Sequence, residues 1–131
     1  MDLDPNLLVL VGLVAAGGAL GSVARYVVSG ALTQGNFPWG TFAVNFTGTF
    51  LLCLLFFLFL QAGHIPTDLR TFLFIGIFGG YTTFSTFGVE TVSLISEGQL
   101  WLGGANVLLN AGVCLAGAFA GRALGLALAG A

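Results

Sequence analysis

Charge is what this sequence has least of. Its 131 residues hold three arginines, five acids and no lysine, so only 6% of the chain is charged. A typical soluble domain carries about 25%. No water-facing surface can be built from so few charges, and no basic patch exists to hold nucleic acid. The single histidine, His64, stands beside Gly63 and Pro66. It has no Ser, Cys or Asp set for catalysis and no metal partners, and it reads as a solvated turn residue. The two cysteines, Cys53 and Cys114, both fall inside apolar runs. They read as small buried hydrophobes, not as a disulfide or a metal pair. With no catalytic constellation, the chain is not expected to be an enzyme. The opening residues Met1 to Pro5 lack the basic region of a signal peptide, so the first apolar run is expected to be a retained span.

Apolar residues fill the space instead: 57% of the chain is hydrophobic, and the mean hydropathy is +1.04. Crossing about 30 Å of hydrocarbon takes about 20 residues. Four runs are long enough, at about 7–32, 41–60, 69–96 and 100–128. The expected fold is a single all-α integral membrane domain of four transmembrane helices. Short connections carry ordinary breaker signals: Gly35 and Pro38, then Gly63 and Pro66, then Gly98. Trp39 and Trp101 open two spans on the same side, where indole suits the interface.

The densest signal lies inside the third run. Residues 79–88 read Gly-Gly-Tyr-Thr-Thr-Phe-Ser-Thr-Phe-Gly. Adjacent glycines favour a helix break, because glycine loses the most entropy on ordering and tolerates unusual dihedrals. The third helix is therefore expected to be interrupted near Gly79–Thr83. Five hydroxyl side chains follow within six residues. Irregular, polar backbone at membrane depth is tolerated only where protein buries it or a wet cavity meets it. That points to an ion or substrate site.

Residues three and four apart share a helix face, and each span carries one polar stripe. The first has Ser22, Arg25, Ser29 and Thr33. The second has Thr41, Asn45 and Thr49. The third has Thr83, Thr86, Glu90, Ser93 and Glu97. The fourth has Asn106, Asn110 and Cys114. Ser and Thr alone would read as interhelical glue. Asn45 and Asn110 shift the balance toward function. So do Arg25 and Glu90, which carry charge into the spans at a cost of about 2.5–3.5 kcal/mol on insertion scales, although Arg25 could instead snorkel to the interface. The two charges either pair with one another, or Arg25 gives a vestibule a positive potential that attracts anions. Phe84 and Phe87 follow the break at spacing three; packing is their ordinary use, but a ring edge is weakly positive and can favour a small anion.

Small residues recur at spacing four: Gly17 and Gly21, then Gly117, Gly121 and Gly125. They read as close helix packing or as a dimer seam. No internal repeat is visible, although many transporters build a midplane site from inverted repeats. A second copy of the chain would supply that symmetry if it inserted upside down. Arg70 and Arg122 fall on one side and Arg25 toward the other, so Lys/Arg bias hardly sets an orientation. Insertion both ways and a narrow preference for one way both stay open.

Three segments together resemble the Fluc (also called CrcB) fluoride channels of microbes, over nearly the whole chain. They are the run Gly17 to Tyr26, the run Gly40 to Asn45, and the run Gly79 to Phe87, of which the last is highly specific. Glu90 also stands where the family has its third-span glutamate. The resemblance implies an antiparallel, dual-topology homodimer in the cell (plasma or inner) membrane, with two pores for passive fluoride efflux. It implies that Asn45 hydrogen-bonds the anion, that Phe84 and Phe87 present ring edges, and that Ser85 and Thr86 form a hydroxyl track beside them. Asn110 is carried over as the fourth-span pore residue. The backbone carbonyls of Gly79 and Thr82 are implied to hold a structural sodium ion at the two-fold axis. Tyr81 departs from the aliphatic residue of many relatives, and Asn106 and Asn110 stand where relatives carry other polar side chains. Two other classes compete. A proton-coupled four-span exporter would use Glu90 as its membrane carboxylate. A non-transporting assembly subunit would leave the polar stripes without a role.

Overall fold

The computed structural model describes residues 5–61, 63 and 65–130, so His64 lies outside the described residues. Among these residues the chain is helical throughout, with no strand. Four helical stretches are long and apolar enough to cross a membrane: Asn6–Leu32, Trp39–Leu60, Thr67–Ser96 and Leu100–Leu128. The first two are the single helices α1 (Pro5–Leu32) and α2 (Trp39–Gln61). The third divides into α3 (67–81) and α4 (Phe84–Ser96). The fourth is α5 (Leu100–Leu128). Wide, π-type turns run through Thr71–Phe78 in α3 and through Leu108–Val113 in α5.

Helices in lipid gain no hydrophobic stabilisation from meeting one another, so close backbone packing has to hold them. Glycines supply it along two seams. In the first, α1 lies on α3. A Cβ on Gly17 would come within 2.5 Å of the Phe72 carbonyl oxygen, and one on Gly21 would strike the Ile77 carbonyl. In the second, the C-terminal half of α5 lies along α2. A Cβ on Gly117 would reach the Phe46 ring at 2.8 Å, and Cβ atoms on Gly121 and Gly125 would strike the carbonyls of Phe50 and Leu54. The fourth-span glycines thus serve packing within one chain. The other junctions follow from turns. Gly98, at φ +78, lets α4 stop so that α5 can start, and the Gln99 N–H caps the Leu94 carbonyl at 2.8 Å.

The interior is small and partly polar. Val44, Thr41 and Asn106 are its largest fully buried side chains. Many large apolar side chains point outward, among them Leu20, Val23 and Val27 on α1, as suits a chain solvated by lipid. Trp101, opening α5, is uncovered, and Trp39 packs tilted against Phe37, with ring centroids 4.7 Å apart.

Candidate functional site

The third span leaves helical geometry at two threonines, not at the glycines before them. Gly79 is helical, at φ −64 and ψ −35. Thr82 is extended (φ −80, ψ 155), and so is Thr83 (φ −149, ψ 115). The glycine run has another use here. A Cβ on Gly80 would sit 2.6 Å from the Gly18 carbonyl oxygen, so the absent side chain lets α1 approach. The helix restarts because Thr83 caps it: Thr83 Oγ1 accepts the Thr86 N–H at 3.2 Å. The Thr83 N–H turns away to Asn45 Oδ1 at 2.7 Å. These two diversions deprive two carbonyls of their i+4 helical donors, and the carbonyls are those of Gly79 and Thr82.

Asn45 of α2 is the hub of what surrounds the break. Its side-chain amide donates to the Thr83 carbonyl at 3.0 Å and to Asn110 Oδ1 at 2.8 Å. Its orientation is fixed, because the Thr83 N–H can only donate and so must face the amide oxygen. Both Asn45 N–H bonds are therefore engaged. Asn110 passes the chain on within α5, donating to Asn106 Oδ1 at 2.9 Å. Asn106 donates to Thr91 Oγ1 at 2.9 Å, and the Thr91 hydroxyl donates to the Phe87 carbonyl at 2.8 Å.

Two clefts meet at Thr83, which lines both. One, of about 220 Å³, is walled by Asn45, Thr82, Phe84, Phe87 and Asn110. The other, of about 440 Å³, is walled by Ser22, Arg25, Ser29, Thr41 and Thr86. The rings of Phe84 and Phe87 meet edge to face, 5.3 Å between centroids at 65°. Phe87 is buried, but Phe84 is 82% exposed on the single chain. Ser85 is exposed beside them; its hydroxyl lies 3.4 Å from Thr83 Oγ1, which donates to Thr86 Oγ1 at 2.9 Å.

Most of the residues singled out from sequence therefore gather around the break. Asn45, Phe84, Phe87 and Asn110 share one cleft, and Arg25 and Thr86 share the next. Glu90 stands apart. Its Oε1 accepts the Thr41 hydroxyl at 2.7 Å, and it borders a further cleft of about 260 Å³ with Ser93 and Glu97. Among the described residues no ion pair joins Arg25 to Glu90, so the pairing considered for them does not form; Thr41 takes its place. Glu90 Oε2 is buried without a partner. Sequence reading missed Thr91. The stripe it followed runs Thr83, Thr86, Glu90, whereas spacing four from Thr83 through Phe87 leads to Thr91, opposite Asn106. It also missed that Tyr81, the departure from the family pattern, reaches Thr47 of α2 with hydroxyl oxygens 3.1 Å apart.

A sequence model described as "CrcB-like protein, Camphor Resistance (CrcB)" matches residues 12–122. The chain belongs to the CrcB-like family. It is similar to a protein named fluoride-specific ion channel FluC in Agrobacterium fabrum, with 47% identity over 118 residues, covering 88% of this chain and 94% of the relative. A protein of the same name in Anaeromyxobacter dehalogenans is 45% identical over 121 residues, 90% of this chain and 96% of the relative. Another, in Geobacter sulfurreducens, is 44% identical over 111 residues, 82% of this chain and 90% of the relative. With its four apolar helices, this CrcB-like chain is a multi-pass membrane protein.

Proposed function

We propose that this chain forms a fluoride-specific channel that releases F⁻ passively from the cytoplasm across the cell (plasma or inner) membrane, and so confers fluoride resistance. It acts as a transport protein and not as an enzyme. The observation that carries the reading is near-full-length similarity to proteins named fluoride-specific ion channels, with the amide, hydroxyl and ring set gathered at one break. HF enters from an acidic medium, dissociates in the more alkaline cytoplasm and is trapped as F⁻. The inside-negative potential drives an anion outward by about 2.3 kcal/mol per charge per 100 mV. A passive pore then suffices.

The chemistry of the path follows from what each group offers. Arg25, among the hydroxyls of Ser22, Ser29 and Thr86, draws anions toward one cleft. Across Thr83, the second cleft offers the Asn45 amide and the edges of Phe84 and Phe87. Small, strongly hydrated fluoride needs donors to replace its water. Asn45 has no idle N–H, so an anion there takes one from the Thr83 carbonyl or from Asn110. Such an exchange binds weakly, and conduction requires a site weak enough to leave. Ring edges add attraction without a deep trap.

The pore unit is a dimer of antiparallel copies with two pores. Phe84 is an apolar ring, 82% exposed, beside extended backbone. Irregular backbone is poorly suited to lipid, and a second copy packed on Phe84 would shield this stretch. The third spans of the two copies then face each other, and the Gly79 and Thr82 carbonyls become available together. Carbonyl oxygens without helical donors fit a hard cation such as sodium, which would tie the two copies by neutralising facing dipoles. The names of the relatives favour a passive channel over the proton-coupled exporter that Glu90 would serve.

Purified protein in liposomes tests the reading. Fluoride efflux without a proton gradient is expected, and it is lost in Asn45→Ala and in Phe84→Ala while the dimer persists. Efflux that needs a proton gradient would establish the exporter instead. Unchanged flux in both variants would overturn the residue roles.

A further inference from the structure

We infer that Thr91 and Asn106 are positioning residues for the ion path, acting on the Asn45 amide through an unbroken line of hydrogen bonds. The inference rests on the channel reading for its consequence in flux, but the coupling it describes stands apart from it.

The line runs in one direction. The Thr83 N–H donates to Asn45 (2.7 Å), Asn45 to Asn110 (2.8 Å), Asn110 to Asn106 (2.9 Å), Asn106 to Thr91 (2.9 Å), and Thr91 to the Phe87 carbonyl (2.8 Å). It begins and ends on backbone groups of fixed character, an N–H that only donates and a C=O that only accepts. Every amide between them is thereby held in one orientation. The two ends bracket residues 83–87, the segment that bears Phe84 and Phe87. The line leaves that segment for α2, crosses to α5 and returns through α4, so three helices fix one short stretch.

Burial makes this binding on the two inner members. Asn106 is 0% exposed and Thr91 is 8% exposed, so neither has water to fall back on. A buried group left unpaired costs far more than a hydrogen bond gains, and aligned bonds polarise one another. Removing the Thr91 hydroxyl takes away the acceptor for the Asn106 N–H. Asn106 is then free to rotate and its Oδ1 no longer holds Asn110, which keeps only its longer 3.2 Å bond to the Asn106 backbone carbonyl, so the acceptor facing Asn45 is loosened. Neither Thr91 nor Asn106 lines the Asn45 cleft. Their effect on an ion there therefore passes through the amides.

Thr91→Val keeps the shape and removes the hydroxyl, Thr91→Ser restores it, and Thr91→Ala is a second deletion should valine impair assembly. Protein labelled with ¹⁵N at asparagine has five side-chain amides, those of Asn6, Asn36, Asn45, Asn106 and Asn110. In Thr91→Val the signals of Asn106, Asn110 and Asn45 should shift together while those of Asn6 and Asn36 stay. Thr91→Ser should return them. Fluoride efflux should fall about tenfold in Thr91→Val, the effect of one good hydrogen bond, and recover in Thr91→Ser. A spectral change that stops at Asn106, or a folded Thr91→Val dimer that conducts like the parent, overturns the inference. If the parent protein itself carries no fluoride, the channel reading fails, and the amide shifts alone decide whether the line couples Thr91 to Asn45.

Discussion

The two halves of this molecule are held together by opposite means. Where α5 lies along α2 beyond Gly117, and where α1 lies on α3, side chains have been removed so that backbones touch. Around α4, side chains have been added: Thr91, Asn106, Asn110 and Asn45 link three helices by hydrogen bonds. Glycine seams are made of van der Waals contact, with no polar group to satisfy and nothing to offer an ion. The hydrogen-bonded half is exacting, since each buried polar group needs its partner, but it holds donors at fixed places in lipid. One half is frame, and the other is the device the frame carries.

The seam should be the least tolerant of change. Gly121→Leu drives a side chain into the Phe50 carbonyl, and overpacking costs about 1–3 kcal/mol or more even where side chains can yield. Here backbone must move, so no monodisperse folded protein should survive size-exclusion chromatography. A folded Gly121→Leu protein would show that the seam is not structural. Next comes the device. Phe84→Ala removes a ring that is 82% exposed on the single chain, so the monomer fold should persist while fluoride flux falls toward background. Equal loss of fold and flux would erase the distinction between the halves. A smaller effect is expected at Tyr81→Phe, which removes only the hydroxyl contact to Thr47 and should lower thermal stability by about 0.5–1.5 kcal/mol with flux retained. The smallest is at Gly18→Ala. A Cβ there meets nothing within 4 Å, whereas one on its neighbour Gly17 meets the Phe72 carbonyl. Gly18→Ala should leave thermal stability unchanged and Gly17→Ala should lower it, a contrast between adjacent residues of one Gly-Gly pair.

Much of the frame was readable in the sequence, because length and apolarity settle a span without reference to neighbours. The four helices follow from that. The stripes were readable for the same reason: spacings of three and four place Asn45, Arg25 and Thr86 on faces. What spacing cannot give is which faces meet. Thr91 was passed over because its partner, Asn106, lies on another helix fifteen residues away. The Arg25–Glu90 pairing failed for the converse reason. Both charges were visible, but Thr41 of α2 stands next to the carboxylate. Gly79 and Gly80 carried a real signal with two readings, conformational freedom and close approach. In the structure both glycines stay helical, Gly80 against α1, and the extended residues are Thr82 and Thr83. Fluoride itself was never in the spacing; it comes from likeness to named relatives.

The central claim is that ions pass at the Asn45 amide by a passive route. Its most direct test is fluoride efflux from liposomes loaded with potassium fluoride, with valinomycin to carry the balancing potassium and equal pH on both sides. The parent protein should empty the liposomes of fluoride, and Asn45→Ala, recovered as the same dimer, should leave it inside. No efflux from the parent at equal pH, or efflux from Asn45→Ala at the parent's rate, would contradict the claim.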